Sequence, residues 1–228
     1  TELAKRKGIF PFYKDSIFDK DGEYFKGNEL KPRNCVRTTI APTGTISNCA
    51  GLQGAGIEPF YSLAYDRLMA PGQDQVERGE KIDDKYIMHE FNPLLEKVLE
   101  ENDYFGLDKK ILWEKIEKNH GSIKGLNEIP ENIQRLFRTA HDINYEWHIR
   151  HQVAFQKHTG DGVSKTINFP NSATVEDIKN AYLLAAELGL KGITIYRDGC
   201  KSIQTLISHK GNKEDLENLL EKERPNVR

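Results

Sequence analysis

The sequence predicts an α/β fold made of parallel βαβ units with a helical insertion, and three stretches carry that expectation. The last third alternates strand, helix, strand. The middle keeps helical spacing over a long run. Near the start, the β-branched run Thr38-Thr39-Ile40 breaks at Pro42 and Gly44 into small hydroxyl residues, the composition of a turn from strand to helix.

Taken in order, Thr1 to Gly8 reads as the tail of a helix with Gly8 as its cap. Residues 9–34 mix Pro, Gly and aromatic residues without periodicity and read as an extended loop packed on a surface. Thr38–Ile40 is a strand, and the turn at Pro42–Ser47 can open a helix. Phe60 to Leu68 alternates in part and is a candidate strand; Pro71 to Glu80 is a polar loop or insertion. From Asn92 to Asn119, Leu94, Leu95, Val98 and Leu99, then Ile111, Leu112 and Ile116, keep i, i+3, i+4 spacing, with the charged Lys115 as an exception and Gly106 and Gly121 as stops. A short helix (Glu131 to Arg138) and a longer one (Tyr145 to His158) follow.

Ser164 to Phe169 is strand-like, and Pro170-Asn171 turns the chain. Thr174 with Asp177 makes a capping box with Asp in place of the preferred Glu. The helix from Val175 puts Ile178, Ala181, Tyr182 and Ala185 on one face, Gly189 caps it, and Gly192 to Tyr196 is a second strand. This order and spacing describe a parallel βαβ crossover. The chain closes on a charged helix, Lys213 to Glu223. Neither end has the character of a natural terminus, so the chain is expected to be a segment of a longer protein.

Composition removes several function classes. Among 228 residues the formal net charge is -2, which provides no basic field for nucleic acid. No apolar run approaches the roughly 18 residues of a bilayer span, and no leader pattern precedes the fold, so no membrane partner and a cytoplasmic setting are expected. Three cysteines, Cys35, Cys49 and Cys200, without a CxxC pair fit a reducing compartment.

Four groups are candidates for chemistry. The Pro42–Ser47 turn is the first. Backbone N–H groups at a helix start, the positive end of its dipole and the hydroxyls of Thr43, Thr45 and Ser47 suit a phosphate, and Gly44 lets a bulky anion approach. An ordinary turn whose hydroxyls cap backbone groups has the same composition. It is not a Walker loop, having no glycine followed by Lys at the required offset. The second group is His141, His148, His151 and His158; the last three would share a helix face and could hold zinc with Glu146 as base, although histidines that fill helix contacts are commoner. The cysteines are third: none has a local base, and buried or incidental thiols are expected, with Cys200 the least improbable reactive one. Fourth, Tyr196, Arg197 and Asp198 sit at a strand's carboxyl end, where α/β proteins place ligands, or form a surface turn with Gly199.

The motifs in sequence order are more specific than any one of them. Thr38-Thr-Ile-Ala-Pro-Thr-Gly-Thr-Ile-Ser47 with Gly56-Ile-Glu-Pro59 resembles the phosphate-loop region of ribonucleotide reductase large subunits, especially the adenosylcobalamin-dependent class II form. Thr139-Ala-His-Asp-Ile143 with Trp147-His148, Phe155-Gln-Lys157, Ser164-Lys-Thr-Ile-Asn-Phe-Pro170 and Gly192-Ile-Thr-Ile-Tyr-Arg-Asp-Gly199 follow in the order of that family. The resemblance spans nearly the whole chain and thins over 70–90 and after about 210.

The resemblance implies a ten-stranded α/β barrel of two parallel five-stranded halves, of which residues 1–210 are an incomplete C-terminal segment and 211–228 a charged helix or linker. It implies that Thr43, Gly44, Thr45, Ile46 and Ser47 bind the substrate's phosphates and that Tyr196 flanks the active-site cavity. It also implies adenosylcobalamin as the cofactor of the complete enzyme, a ribonucleotide as substrate and the remainder of the reductase chain as partner. The family's radical chemistry needs a finger loop of the form Asn-x-Cys-x-Glu, which is absent; Asn34-Cys35 does not match it, and Cys35, Cys49 and Cys200 inherit no catalytic role. The segment alone is therefore expected to be inactive, and the exposed strand edges of an incomplete barrel to favour self-association. A non-catalytic interaction module and a histidine-rich metalloprotein are the alternatives.

Overall fold

The computed structural model describes residues 1–200 apart from 53, 69–70, 73–74, 76–77 and 79–82. The expected charged helix from Lys213 to Glu223 and most of the Pro71–Glu80 loop lie outside the described residues.

The helices are α1 (Glu2–Lys7), α2 (Gly44–Cys49), α3 (Pro93–Glu101), α4 (Lys109–Lys118), α5 (Glu131–Leu136), α6 (Tyr145–Gln156) and α7 (Val175–Glu187). The strands are β1 (Ala64–Leu68), β2 (Ile87–Phe91), β3 (Thr166–Phe169) and β4 (Thr194–Arg197). β1 pairs antiparallel with β2, and β3 pairs parallel with β4. Two isolated parallel bridges, Ile40 with Val163 and Phe60 with Thr139, add single contacts. Among the described residues the strands do not close into a barrel.

The βαβ unit forms as the sequence predicts. Thr174 and Asp177 complete the capping box: the Thr174 hydroxyl accepts from the Asp177 N–H at 3.2 Å, and an Asp177 oxygen accepts from the Thr174 N–H at 2.8 Å. Ala181 and Ala185 are the buried residues of α7. Their small side chains let the helix lie close to Ile167 and Phe169 of β3 and Ile149 of α6. Tyr182, expected on the same face, is 51% exposed, because one further residue of helical rotation carries it to the rim.

A second core gathers Leu95 and Leu99 of α3, Leu112, Trp113 and Ile116 of α4, and Leu63, Phe91 and Ile123 around them. The long helical run predicted over 92–119 divides here. Asn92 caps α3, Asp108 caps α4, and a left-handed turn at Asp103–Gly106, with positive φ at Asp103, Tyr104 and Phe105, separates them. Lys115, the apparent defect in the apolar pattern, reaches outward to an ion pair with Glu128. Gly121 (φ +74) brings its carbonyl to the Leu63 N–H at 2.7 Å, and a Cβ there would collide with the Ser62 hydroxyl. That contact fastens the helical lobe to the start of β1.

Two expectations are corrected. The Phe60–Leu68 strand is confined to Ala64–Leu68, and its partner β2 is not evident from sequence alternation. Thr38–Ile40 makes only one bridge instead of a strand; its polar groups go to the 160–164 turn, with the Ile40 N–H on Gly162 O at 3.3 Å and the Asp161 N–H on Thr38 O at 2.9 Å. Of the two alternatives for the cysteines, buried or incidental, burial does not hold: all three are exposed, each in a loop or at a helix end away from both cores.

Candidate functional site

The turn at Pro42–Ser47 opens α2 at Gly44, as predicted. The Ser47 N–H bonds back to Thr43 O at 2.9 Å, the first helical bond. The N–H groups of Gly44, Thr45 and Ile46 precede that bond and have no partner one turn back. Thr45 and Ile46 are exposed, Ile46 at 72%, whereas Ser47 is buried at 8%. The open edge of the turn therefore presents the main chain of 44–46 and the Thr45 hydroxyl, with Ser47 turned to the interior.

What lies behind the turn makes it rigid. Thr43 takes a left-handed backbone (φ 56), and its hydroxyl accepts the Gly56 N–H at 2.7 Å. Gly56 also has positive φ, and a Cβ on it would sit 2.9 Å from Ala41 O. Only glycine permits this approach of the two segments. Two residues on, Glu58 spans to the start of β3: one carboxylate oxygen accepts the Thr166 N–H, and the other meets Lys165 Nζ at 2.6 Å.

Lys165 is the buried cation of this region, 3% exposed. Its three ammonium protons go to Glu58, to Thr166 O and to His148 Nδ1, the last at 2.8 Å. An ammonium can only donate, so Nδ1 accepts and the His148 proton sits on Nε2, facing Ala140 O at 2.9 Å. The ring is neutral: burial first, then the Lys165 charge, pushes its pKa down to about 4. Burial likewise lowers the Lys165 pKa, against the raising effect of its bond to Glu58. A cleft of about 550 Å³ opens on this cluster: Glu58, His148 and Lys165 line it together with Ile57, Pro59 and Trp147.

A second group surrounds the end of β4. Tyr196 is half-buried and stands opposite Asn168 of β3 in the parallel register. Tyr61 packs edge-on against His141 with ring centroids 5.2 Å apart. Burial, then the charges of Asp198 and Tyr196, push the Tyr61 phenol up to about 12. Burial lowers the His141 pKa. Arg197 reaches back to Ala173 O at 3.0 Å and to Asn171 O, closing the turn after β3.

The histidines part company. His148 is engaged at both ring nitrogens, His141 packs on Tyr61, His151 meets Phe155 edge-on, and His158 is exposed. No cluster of three potential metal ligands occurs among the described residues. No helix among them is long and apolar enough to cross a membrane. The residues that sequence reasoning missed are Glu58, Lys165 and the pairing role of His148.

The parallel βαβ unit beside a lobe of packed helices defines an α/β domain. The chain belongs to the ribonucleotide reductase family: the model of the family's barrel domain matches residues 1–196. It is 38% identical over 204 residues to the vitamin B12-dependent ribonucleoside-diphosphate reductase of Thermoplasma acidophilum, an alignment that covers 90% of this chain and 23% of that protein. It is 33% identical to the vitamin B12-dependent ribonucleoside-diphosphate reductase of Mycobacterium tuberculosis (strain CDC 1551 / Oshkosh), over 90% of this chain and 26% of the relative. Among solved structures, the class Id ribonucleotide reductase alpha subunit of Actinobacillus ureae superposes with a TM-score of 0.59 at 30% identity, over 87% of this chain and 30% of that one. The chain thus spans about a quarter of the length of the curated relatives it matches.

Proposed function

We propose that this chain is the phosphate-binding portion of the catalytic barrel of a cobalamin-dependent ribonucleotide reductase. The parent enzyme converts ribonucleotides to deoxyribonucleotides, and the names of the relatives support both the reaction and the cofactor. The observation that carries the local assignment is the start of α2. Three main-chain N–H groups without helical partners point outward from a turn that is braced from behind by Gly56.

In this reading Thr43, Gly44, Thr45, Ile46 and Ser47 form the loop that holds the phosphates. The N–H groups of 44–46 and the Thr45 hydroxyl donate to the phosphate oxygens, Thr43 shapes the bend, and Ser47 anchors it from the interior. Charge-assisted bonds of this kind fix the nucleotide's tail and so aim its ribose into the barrel. Tyr196 flanks the cavity. The two B12-dependent relatives cited are named for ribonucleoside diphosphates, which favours a diphosphate substrate.

His148 offers no ring nitrogen to a cobalt ion, since Nδ1 accepts from Lys165 and Nε2 faces Ala140 O. No ligand cluster accompanies it among the described residues. The radical-bearing finger loop, whose Asn-x-Cys-x-Glu pattern this chain lacks, is assigned to the rest of the parent chain. The same division makes residues 1–210 part of a ten-stranded barrel and 211–228 a linker. Large apolar side chains left open to solvent, among them Trp147, Val175 and Leu183, support a cover supplied by that remaining chain or by a second copy.

Thr45→Val in the full-length reductase tests the loop. Losing one hydroxyl bond to a charged phosphate is expected to raise KM about tenfold with kcat little changed. An unchanged KM means that the turn is an ordinary one.

A further inference from the structure

We propose that Lys165 is a positioning residue for nucleotide binding: through Glu58 it holds the 56–59 segment against the back of the Thr43–Ser47 loop. The inference rests on the reading of that loop as the phosphate site.

The connection can be followed bond by bond. Lys165 stands immediately before β3, with its ammonium enclosed and all three of its protons engaged. Glu58 answers it with one oxygen and takes the Thr166 N–H with the other, so its carboxylate is fixed in both position and plane. Glu58 is two residues from Gly56, whose N–H bonds to the Thr43 hydroxyl at 2.7 Å. Thr43 is the residue whose left-handed backbone lets α2 begin at Gly44. Four links thus join a buried cation at the entry to β3 to the main-chain donors of 44–46.

The pairing is directional. His148 accepts from the ammonium at Nδ1 while its Nε2 proton faces Ala140 O, so the ring is held from both sides. Removing Glu58 alone would leave the Lys165 ammonium, 3% exposed, charged without its counter-ion, which is costly. Such a strut does not touch substrate. Its effect is to narrow the range of positions the loop can take, and binding of a rigid, tetrahedral anion depends on that range far more than does binding of a nucleoside.

The test uses the full-length reductase and compares a ribonucleoside diphosphate with the corresponding ribonucleoside as ligands. Lys165→Met combined with Glu58→Gln replaces the ion pair by a neutral pair of similar size and so guards against collapse of the fold. The expected result is about a tenfold weaker Kd for the diphosphate with the nucleoside unchanged. Equal weakening of both ligands means a general structural role and overturns the proposal, as does no weakening of either.

A cycle with Thr43→Val adds a second reading. If Lys165 acts through Thr43, the combined variant is no weaker than about tenfold; independent effects would multiply to about a hundredfold and contradict the proposal. Thr45→Val separates this inference from the reading beneath it. If Thr45→Val weakens the diphosphate while the Lys165 variant does not, the strut fails and the phosphate site stands. If Thr45→Val has no effect, the phosphate site itself fails, and the strut with it.

Discussion

At the scale of single residues, His148 shows how burial and neighbours fix a protonation state. Its ring is 2% exposed, accepts from the Lys165 ammonium and titrates at about 4. In the unfolded chain the same imidazole takes up a proton near pH 6.5. Between these values the unfolded state binds more protons, so acid shifts the equilibrium toward it. Stability from this group is whole above about pH 6.5, declines as the pH falls and levels off below about 4. The difference between pH 7 and pH 4 is on the order of 3 kcal/mol. Urea unfolding midpoints followed against pH measure it, and His148→Asn is expected to flatten the slope over that window; an equally steep slope in the variant would assign the acid sensitivity to other groups.

The same residue shows where local reading stops. As one of four spaced histidines, His148 invites comparison with a metal ligand. Its actual partners are a lysine 17 positions away in sequence and a carbonyl 8 positions away. The Glu58–Lys165 pair spans 107 positions. No periodicity or spacing rule connects residues that far apart. The only local hint is a lysine directly ahead of an apolar strand, which needs a partner if the strand is buried.

At the scale of elements, what could be read in the sequence was what local chemistry decides. The α7 capping box and the helix opening at Gly44 depend on residues within a few positions of one another, and the pairing of β3 with β4 follows from a single short crossover helix between them. Antiparallel β2 could not be read the same way: Ile87–Phe91 lacks alternation and becomes a strand because β1 lies beside it. Thr38–Ile40 has strand composition, but its neighbour is a turn and not a strand. For the candidate site, the turn itself was legible, and the support behind it was not.

The capping box gives a local prediction. Thr174→Ala removes the hydroxyl that accepts the Asp177 N–H and frees the Asp177 carboxylate from one donor. The cost is expected to be about 1 kcal/mol. Chemical denaturation compares it with the parent, and a loss below a few tenths would show that packing of Ala181 and Ala185 alone sets the helix.

At the scale of the whole molecule, two cores and short sheets leave much apolar surface open. Trp147 is 66% exposed and Val175 is 86% exposed. In a complete barrel such faces have neighbours, and the coverage of about a quarter of the B12-dependent relatives by this chain agrees with a partial wall. In the proposed function, this portion binds and aims the nucleotide, and the rest of the parent reductase carries the radical.

A structure of the full-length reductase with a bound ribonucleoside diphosphate tests the phosphate loop most directly. The account predicts phosphate oxygens within about 3 Å of the N–H groups of Gly44, Thr45 and Ile46, in the usual range for such bonds. Phosphates bound at another part of the barrel, with these three groups left to water, would contradict it.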